Sequence, residues 1–152
     1  MTDTKRRITD PAEGLIRRVY RHSPKRFRPI IDQLTGIPRA PAAAFELRLA
    51  DPEKPSKKVD EALSVNVESS LIAAGLSPTW GIDISQQYAA RITVADCHAN
   101  GLEAYYDPVP DNPHHGSIWD LVTTFSIDPD AYERAIDALA RASTIVAESL
   151  RA

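Results

Sequence analysis

Five residues between positions 96 and 115 are of the types that ligate a metal or move a proton: Asp96, His98, Asp107, His114 and His115. Imidazole beside carboxylate suits zinc, manganese or iron, and equally suits general acid–base work on a hydrolysable bond. Their spacing matches no established ligand set such as His-Glu-x-x-His. His114 and His115 are adjacent, so their side chains diverge by about 180° on a strand or about 100° on a helix, and such a pair seldom faces one ion. Taken as catalytic, the set centres on His115, Asp107 and His114. Taken as structural, it is a polar loop whose histidines bond to backbone or water.

Cys97 is the only cysteine in the 152 residues, which excludes an internal disulfide and any multi-cysteine zinc site. Thr93 and Asp96 have capping-box spacing and Gly101 sits where a left-handed C′ residue is wanted, so the spacing predicts a helix over 94–100 with Val94 and Cys97 inward. Asp96 beside the thiol disfavours a thiolate, and no glycine-rich elbow surrounds it; Cys97 reads as core rather than nucleophile. Phosphate-loop, dinucleotide and Gly-x-Ser-x-Gly patterns are absent.

A third group is basic. Residues 1–28 hold nine Lys and Arg against three acids, a net of +6, while the remainder carries −9. Arg17, Arg18, Arg21, Lys25, Arg26 and Arg28, with Tyr20 and Phe27 among them, are the residue types that neutralise phosphates and stack on bases. No helix-turn-helix, zinc-finger or RNP pattern accompanies them, so the segment equally suits docking on a protein partner or on the chain's own acidic surface.

These residues need elements to position them. At 43% hydrophobic and 26% charged, the chain is in the globular range. Twelve prolines against six glycines predict many extended connections. Residues 1–10 read as a polar, mobile arm and 11–152 as a single domain. Asp10-Pro11 with Glu13 has the form of a helix start, and Leu15, Ile16, Val19 and Tyr20 recur at helical spacing; the pattern predicts a basic N-terminal helix over 11–22. Further helical turns bent at Pro29 are expected over 24–34, a strand over 42–49, and a loop over 51–58. Alternation predicts a strand over 63–67; further strands are expected over 88–92, where 86–91 would also tolerate a helix, over 102–106, and over the apolar, β-branched 118–125, with a short helix over 71–74, capped by Ser69 or Ser70, stopping at Gly75. Asp128-Pro129 caps a long amphipathic helix to about residue 150. The sum is an α+β fold, one small domain with a short mixed or antiparallel sheet.

Residues 100–118 carry Gly101-Leu102, Asp107-Pro108, Pro110, Asn112-Pro113, His115 and Ile118. This pattern, with the upstream Leu63-Ser64-Val65 strand, resembles a group of small bacterial proteins often encoded near mobile or conflict-system genes. The likeness covers about a third of the chain and implies no activity. It draws attention to His115, and it departs at Gly116, where the pattern carries alanine.

The leading expectation is a small cytosolic bacterial binding or accessory protein, a subunit of a complex or of a toxin–antitoxin or defence operon, with a protein partner and no cofactor. Two alternatives stand beside it: a histidine- or metal-dependent hydrolase acting on nucleotide or nucleic acid, and nucleic-acid binding through the basic segment. The charged first residues without an apolar core predict no secretory signal, and no apolar run is long enough for a membrane span.

Overall fold

The computed structural model describes residues 5–20, 28–47 and 62–146. Its strands are β1 (Arg6–Arg7), β2 (Gly14–Tyr20), β3 (Ile30–Ile31), β4 (Pro38–Arg39), β5 (Leu63–Val67), β6 (Gln87–Thr93), β7 (Glu103–Tyr106), β8 (His115–Trp119) and β9 (Thr144–Ile145). The helices are α1 (Glu68–Ala73), α2 (Val94–His98), α3 (Leu121–Ile127) and α4 (Pro129–Ala142). Seven strands form one antiparallel sheet in the order β1-β7-β8-β5-β2-β6-β9, and β3 and β4 make a separate hairpin. The fold is α+β, as the sequence predicts, and the sheet is of the antiparallel kind.

The expected N-terminal basic helix is instead the strand β2, paired with β6 over seven residues from Gly14↔Thr93 to Tyr20↔Gln87. The helix-start signal at Asp10-Pro11 makes a turn: Asp10 Oδ1 accepts from the Ala12 amide at 3.0 Å and the Asp10 carbonyl from the Glu13 amide at 3.1 Å. Asp side chains offer the backbone this alternative to a helix. Leu15 and Ile16 are both buried because each face of β2 is covered there. Residues 6 and 7, read as part of a mobile arm, pair with Tyr106 and Tyr105 at the sheet edge.

On one face Leu15, Val19, Val65, Tyr88, Ile92 and Ile118 pack with Phe45 and with Tyr132, Ile136 and Leu139 of α4. The other face is covered over Ile16 and Ala89 by Leu71 of α1 and by Leu76, Trp80 and Ile82. The strand expected over 42–49 is a 3-10 turn at Ala42–Phe45. Its backbone groups are taken up by side chains: the Leu47 amide donates to the Tyr132 hydroxyl and the Ala44 carbonyl accepts from Arg17, so no ladder forms there. Residues 30–39 turn back as a hairpin rather than as bent helix. The expected 118–125 strand divides at Asp120, whose carboxylate caps α3 through the Thr123 amide.

The strands at 63–67, 88–92 and 102–106 appear where they are expected. The short helix after β5 also forms, though it starts at Glu68 with Val67 as N-cap rather than with a serine cap. The Thr93–Asp96 capping box is fully made, and Gly101 has φ +71° as its position requires. Helix α4 starts with the Asp128 cap and Pro129, yet ends at Ala142 rather than near residue 150. Ser143 turns the chain outward so that Thr144 and Ile145 cover the outer edge of β6. Residues 1–4, 21–27, 48–61 and 147–152 lie outside the described residues, and with them the start of the predicted arm and the 51–58 loop.

Gly116 shows why the position has no side chain. A Cβ there would lie 2.8 Å from Val67 Cγ2 and 2.9 Å from the Tyr105 carbonyl oxygen, which is main chain and cannot swing away. Gly116→Ala is expected to lower stability by about 1–3 kcal/mol, the usual cost of overpacking. Chemical denaturation should show a lower midpoint with an unchanged slope.

Candidate functional site

Strands β2 and β5 pair only at Leu15↔Val67 and Ile16↔Asn66. Beyond this, β2 stays with β6 and separates from β5. Arg17 spans the separation, its Nε donating to the Ala44 carbonyl and its Nη1 to the Ser64 carbonyl, both at 2.9 Å. A cleft of about 860 Å³ opens here.

Period-two alternation determines what faces it. Ile16, Arg18 and Tyr20 share one face of β2, Ser64 and Asn66 the corresponding face of β5, and His115 that of β8, opposite Asn66 in the register. Directly opposed residues on adjacent strands have Cβ atoms about 4.5–5.5 Å apart. Arg18, Ile16, Asn66 and His115 therefore form a row across three strands. Trp80, Gly81 and Ile82 also line the cleft, as do Val109, Asp111 and Asn112.

Several members are fixed in orientation. His115 Nδ1 is 2.8 Å from the Asp107 carbonyl oxygen. A carbonyl only accepts, so Nδ1 carries the proton, and the neutral ring offers Nε2 as an acceptor. The Asn112 amide donates to Asn66 Oδ1 at 2.8 Å, and its own Oδ1 accepts from the His114 amide at 3.0 Å.

The predicted catalytic residues are close along the chain but work apart. Asp107 meets His115 through its main-chain carbonyl; its carboxylate accepts instead from Ser117 Oγ at 3.0 Å, and Ser117 Oγ in turn accepts from Trp119 Nε1. His114 is buried, with Nδ1 2.8 Å from Ser70 Oγ and its ring edge-on to Trp80 at 5.0 Å. His98 pairs with Glu103 at 3.3 Å, and Asp96 is the capping-box acid of α2. Among the described residues, no three His, Cys, Asp or Glu side chains come together to hold a metal ion.

The basic residues are also dispersed. Arg17 and Arg18 reach the cleft, Arg28 is exposed, and Arg21, Lys25 and Arg26 lie outside the described residues. Lys5 lies over the rings of Tyr105 and Trp119, and Arg6 over Tyr106. Sequence reading missed Asn66, Trp80 and Asn112. Asn66 was the findable one, since it is a polar position in the alternating 63–67 strand. Nothing local marks Trp80 as a wall.

No protein-family model matches the chain, and neither does any curated protein or solved structure.

Cys97 takes no part in the cleft. It is fully buried, and burial, then the Asp96 and Glu103 charges, push its thiol up to about 12. A native sample at pH 8 is expected to give no reaction with an aromatic disulfide reagent, and one thiol per chain after denaturation. Because the folded value lies above the ordinary 9.0, its contribution is intact below pH 9 and is lost as pH rises toward 12. Stability should therefore fall over that window, by up to about 1.4 kcal/mol per pH unit, and Cys97→Ala should flatten the decline.

Proposed function

We propose that this chain is a small cytosolic bacterial binding protein, an accessory subunit of a complex or of a toxin–antitoxin or defence operon, that docks on a protein partner. The observation that carries the reading is the β3–β4 hairpin. Its turn is held from within: Asp32 Oδ1 accepts the Leu34 and Thr35 amides at 2.9 and 3.0 Å, and Oδ2 accepts from Arg39 Nε at 2.9 Å in a largely buried ion pair. The Thr35 and Leu34 amides, with Arg39 beside them, hold the Asp32 carboxyl below the usual carboxylate range.

On this stiff frame the apolar side chains point to solvent. Leu34 is 90% exposed, Ile31 62% and Ile37 55%. A hairpin that uses its polar and charged groups to brace itself while presenting aliphatic side chains gains nothing in its own fold from them. Neighbouring exposed aliphatics mark protein contact surfaces, and a preorganised loop reduces the ordering cost of association. The +6/−9 charge asymmetry and the resemblance across residues 100–118 support the same reading.

The site geometry favours binding over the hydrolase alternative. A histidine base is ordinarily oriented by a carboxylate or a carbonyl and faces a nucleophile or a water beside a second polar group of the opposite role. Here the Asp107 carbonyl orients His115, but the Asp107 carboxylate is taken by Ser117 and His114 by Ser70, so the predicted three residues do not act on one point.

Leu34→Glu should leave thermal unfolding within about 2 °C of the parent, since surface substitutions change stability by less than about 0.5 kcal/mol. It should abolish co-purification of the partner from the native host. Undiminished partner recovery with the variant, or isolation of the parent chain alone in every condition, would overturn the reading.

A further inference from the structure

The cleft between β2 and β5 combines four kinds of group that one ligand class uses together. Arg18 supplies an exposed cation whose guanidinium has no hydrogen-bond or ion-pair partner among the described residues. Trp80 and the 52% exposed Tyr20 supply aromatic faces at the cleft walls. Asn66 accepts from Asn112 through Oδ1, which leaves its Nδ2 to donate to a ligand, and His115 opposite it offers Nε2 as an acceptor. Asp111, an exposed carboxylate on the wall, suits hydroxyl donors.

From this combination we infer that the cleft binds a nucleoside monophosphate unit, either free or as one residue of a single-stranded nucleic acid. A base has a π-face for Trp80 or Tyr20 and an edge carrying adjacent acceptor and donor atoms. Asn66 Nδ2 and His115 Nε2 form the matching donor–acceptor pair, held in register by adjacent strands. The phosphate goes to Arg18, the one cation of the row, and away from the Glu46 and Asp111 carboxylates at the rim. The ribose hydroxyls fall to Asp111.

This inference stands apart from the hairpin, which lies on a different element. It also differs from the expectation that the whole basic segment tracks a polyanion. Only Arg18 is given a phosphate, because Arg17 spends its Nε and Nη1 on main-chain carbonyls, and Lys5 and Arg6 lie over aromatic rings.

The chain has two tryptophans, so Trp119→Phe leaves Trp80 as the sole indole reporter. In that background, titration with AMP, GMP, CMP and UMP, and with eight-residue single-stranded RNAs, is expected to quench Trp80 emission saturably for at least one base. Inorganic phosphate alone should not quench. Arg18→Ala should weaken binding roughly tenfold or more, the ordinary effect of losing a charge-assisted contact. Asn66→Ala should change the order of preference among the four bases, a result that simple charge attraction would not give.

Equal affinity for mononucleotide and oligonucleotide identifies the free nucleotide. Tighter oligonucleotide binding that keeps its dependence on Asn66 identifies a strand. Absence of saturable quenching by any probe, with circular dichroism confirming the fold, overturns the inference. So does binding that Arg18→Ala and Asn66→Ala both leave unchanged.

Discussion

The guanidinium of Arg17 is the contact on which the cleft depends. Strand β2 is committed to β6 along its whole length, while β5 is committed to β8, and the two halves of the sheet meet through two residue pairs. Past that junction the ladder gives way to a side chain. Arg17 reaches the Ser64 carbonyl on β5 and the Ala44 carbonyl of the 3-10 turn, tying three segments with one planar group. A fork of fixed donors suits this better than a lysine, whose ammonium would not hold two carbonyls in a set plane. The sheet is thus wedged open rather than frayed, and the polar row beside the wedge keeps its geometry.

The same junction explains the main failure of sequence reasoning. Leu15, Ile16, Val19 and Tyr20 have the spacing of a helix face, but Leu15 and Ile16 are adjacent because both sides of β2 are covered at that point. Neighbouring apolar residues arise in a doubly covered strand as readily as on a helix, and periodicity alone does not separate them. The Asp-Pro start then favoured the wrong choice, since the turn and the cap use the same Asp side chain. Where the signal was local and complete, it held: Thr93 with Asp96, Asp128 with Pro129, and the alternation of Leu63, Val65 and Val67. The C-terminal helix stops early for a reason no local pattern carries, the open edge of β6, which Thr144 and Ile145 occupy.

The candidate site was legible in its residue types and illegible in its assembly. Adjacency alone indicated that His114 and His115 would diverge, and they do: one is buried against Ser70 and Trp80, the other lines the cleft. That His115 would sit opposite Asn66, 49 positions earlier, depends on strand order, which propensity does not encode. The proline-rich loop between them acts mainly as a spacer. Val109 and Asn112 close it as a small bridge, and Asn112 then holds both Asn66 and the His114 amide.

The hydrogen bonds in this loop leave specific polar atoms uncommitted. Each tied polar group is tied through one atom to a neighbour: His115 by Nδ1 to the Asp107 carbonyl, Asn66 by Oδ1 to Asn112, Asn112 by its side-chain Oδ1 to the His114 amide. What remains for a ligand is one acceptor and one donor on neighbouring strands, with an arginine two positions along. Asp107 serves the array twice, its carbonyl holding His115 and its carboxylate accepting from Ser117. The β3–β4 hairpin elsewhere on the molecule likewise commits its charged groups internally, Asp32 to Arg39 and to the Leu34 and Thr35 amides, which leaves its aliphatic side chains as the groups it turns to solvent.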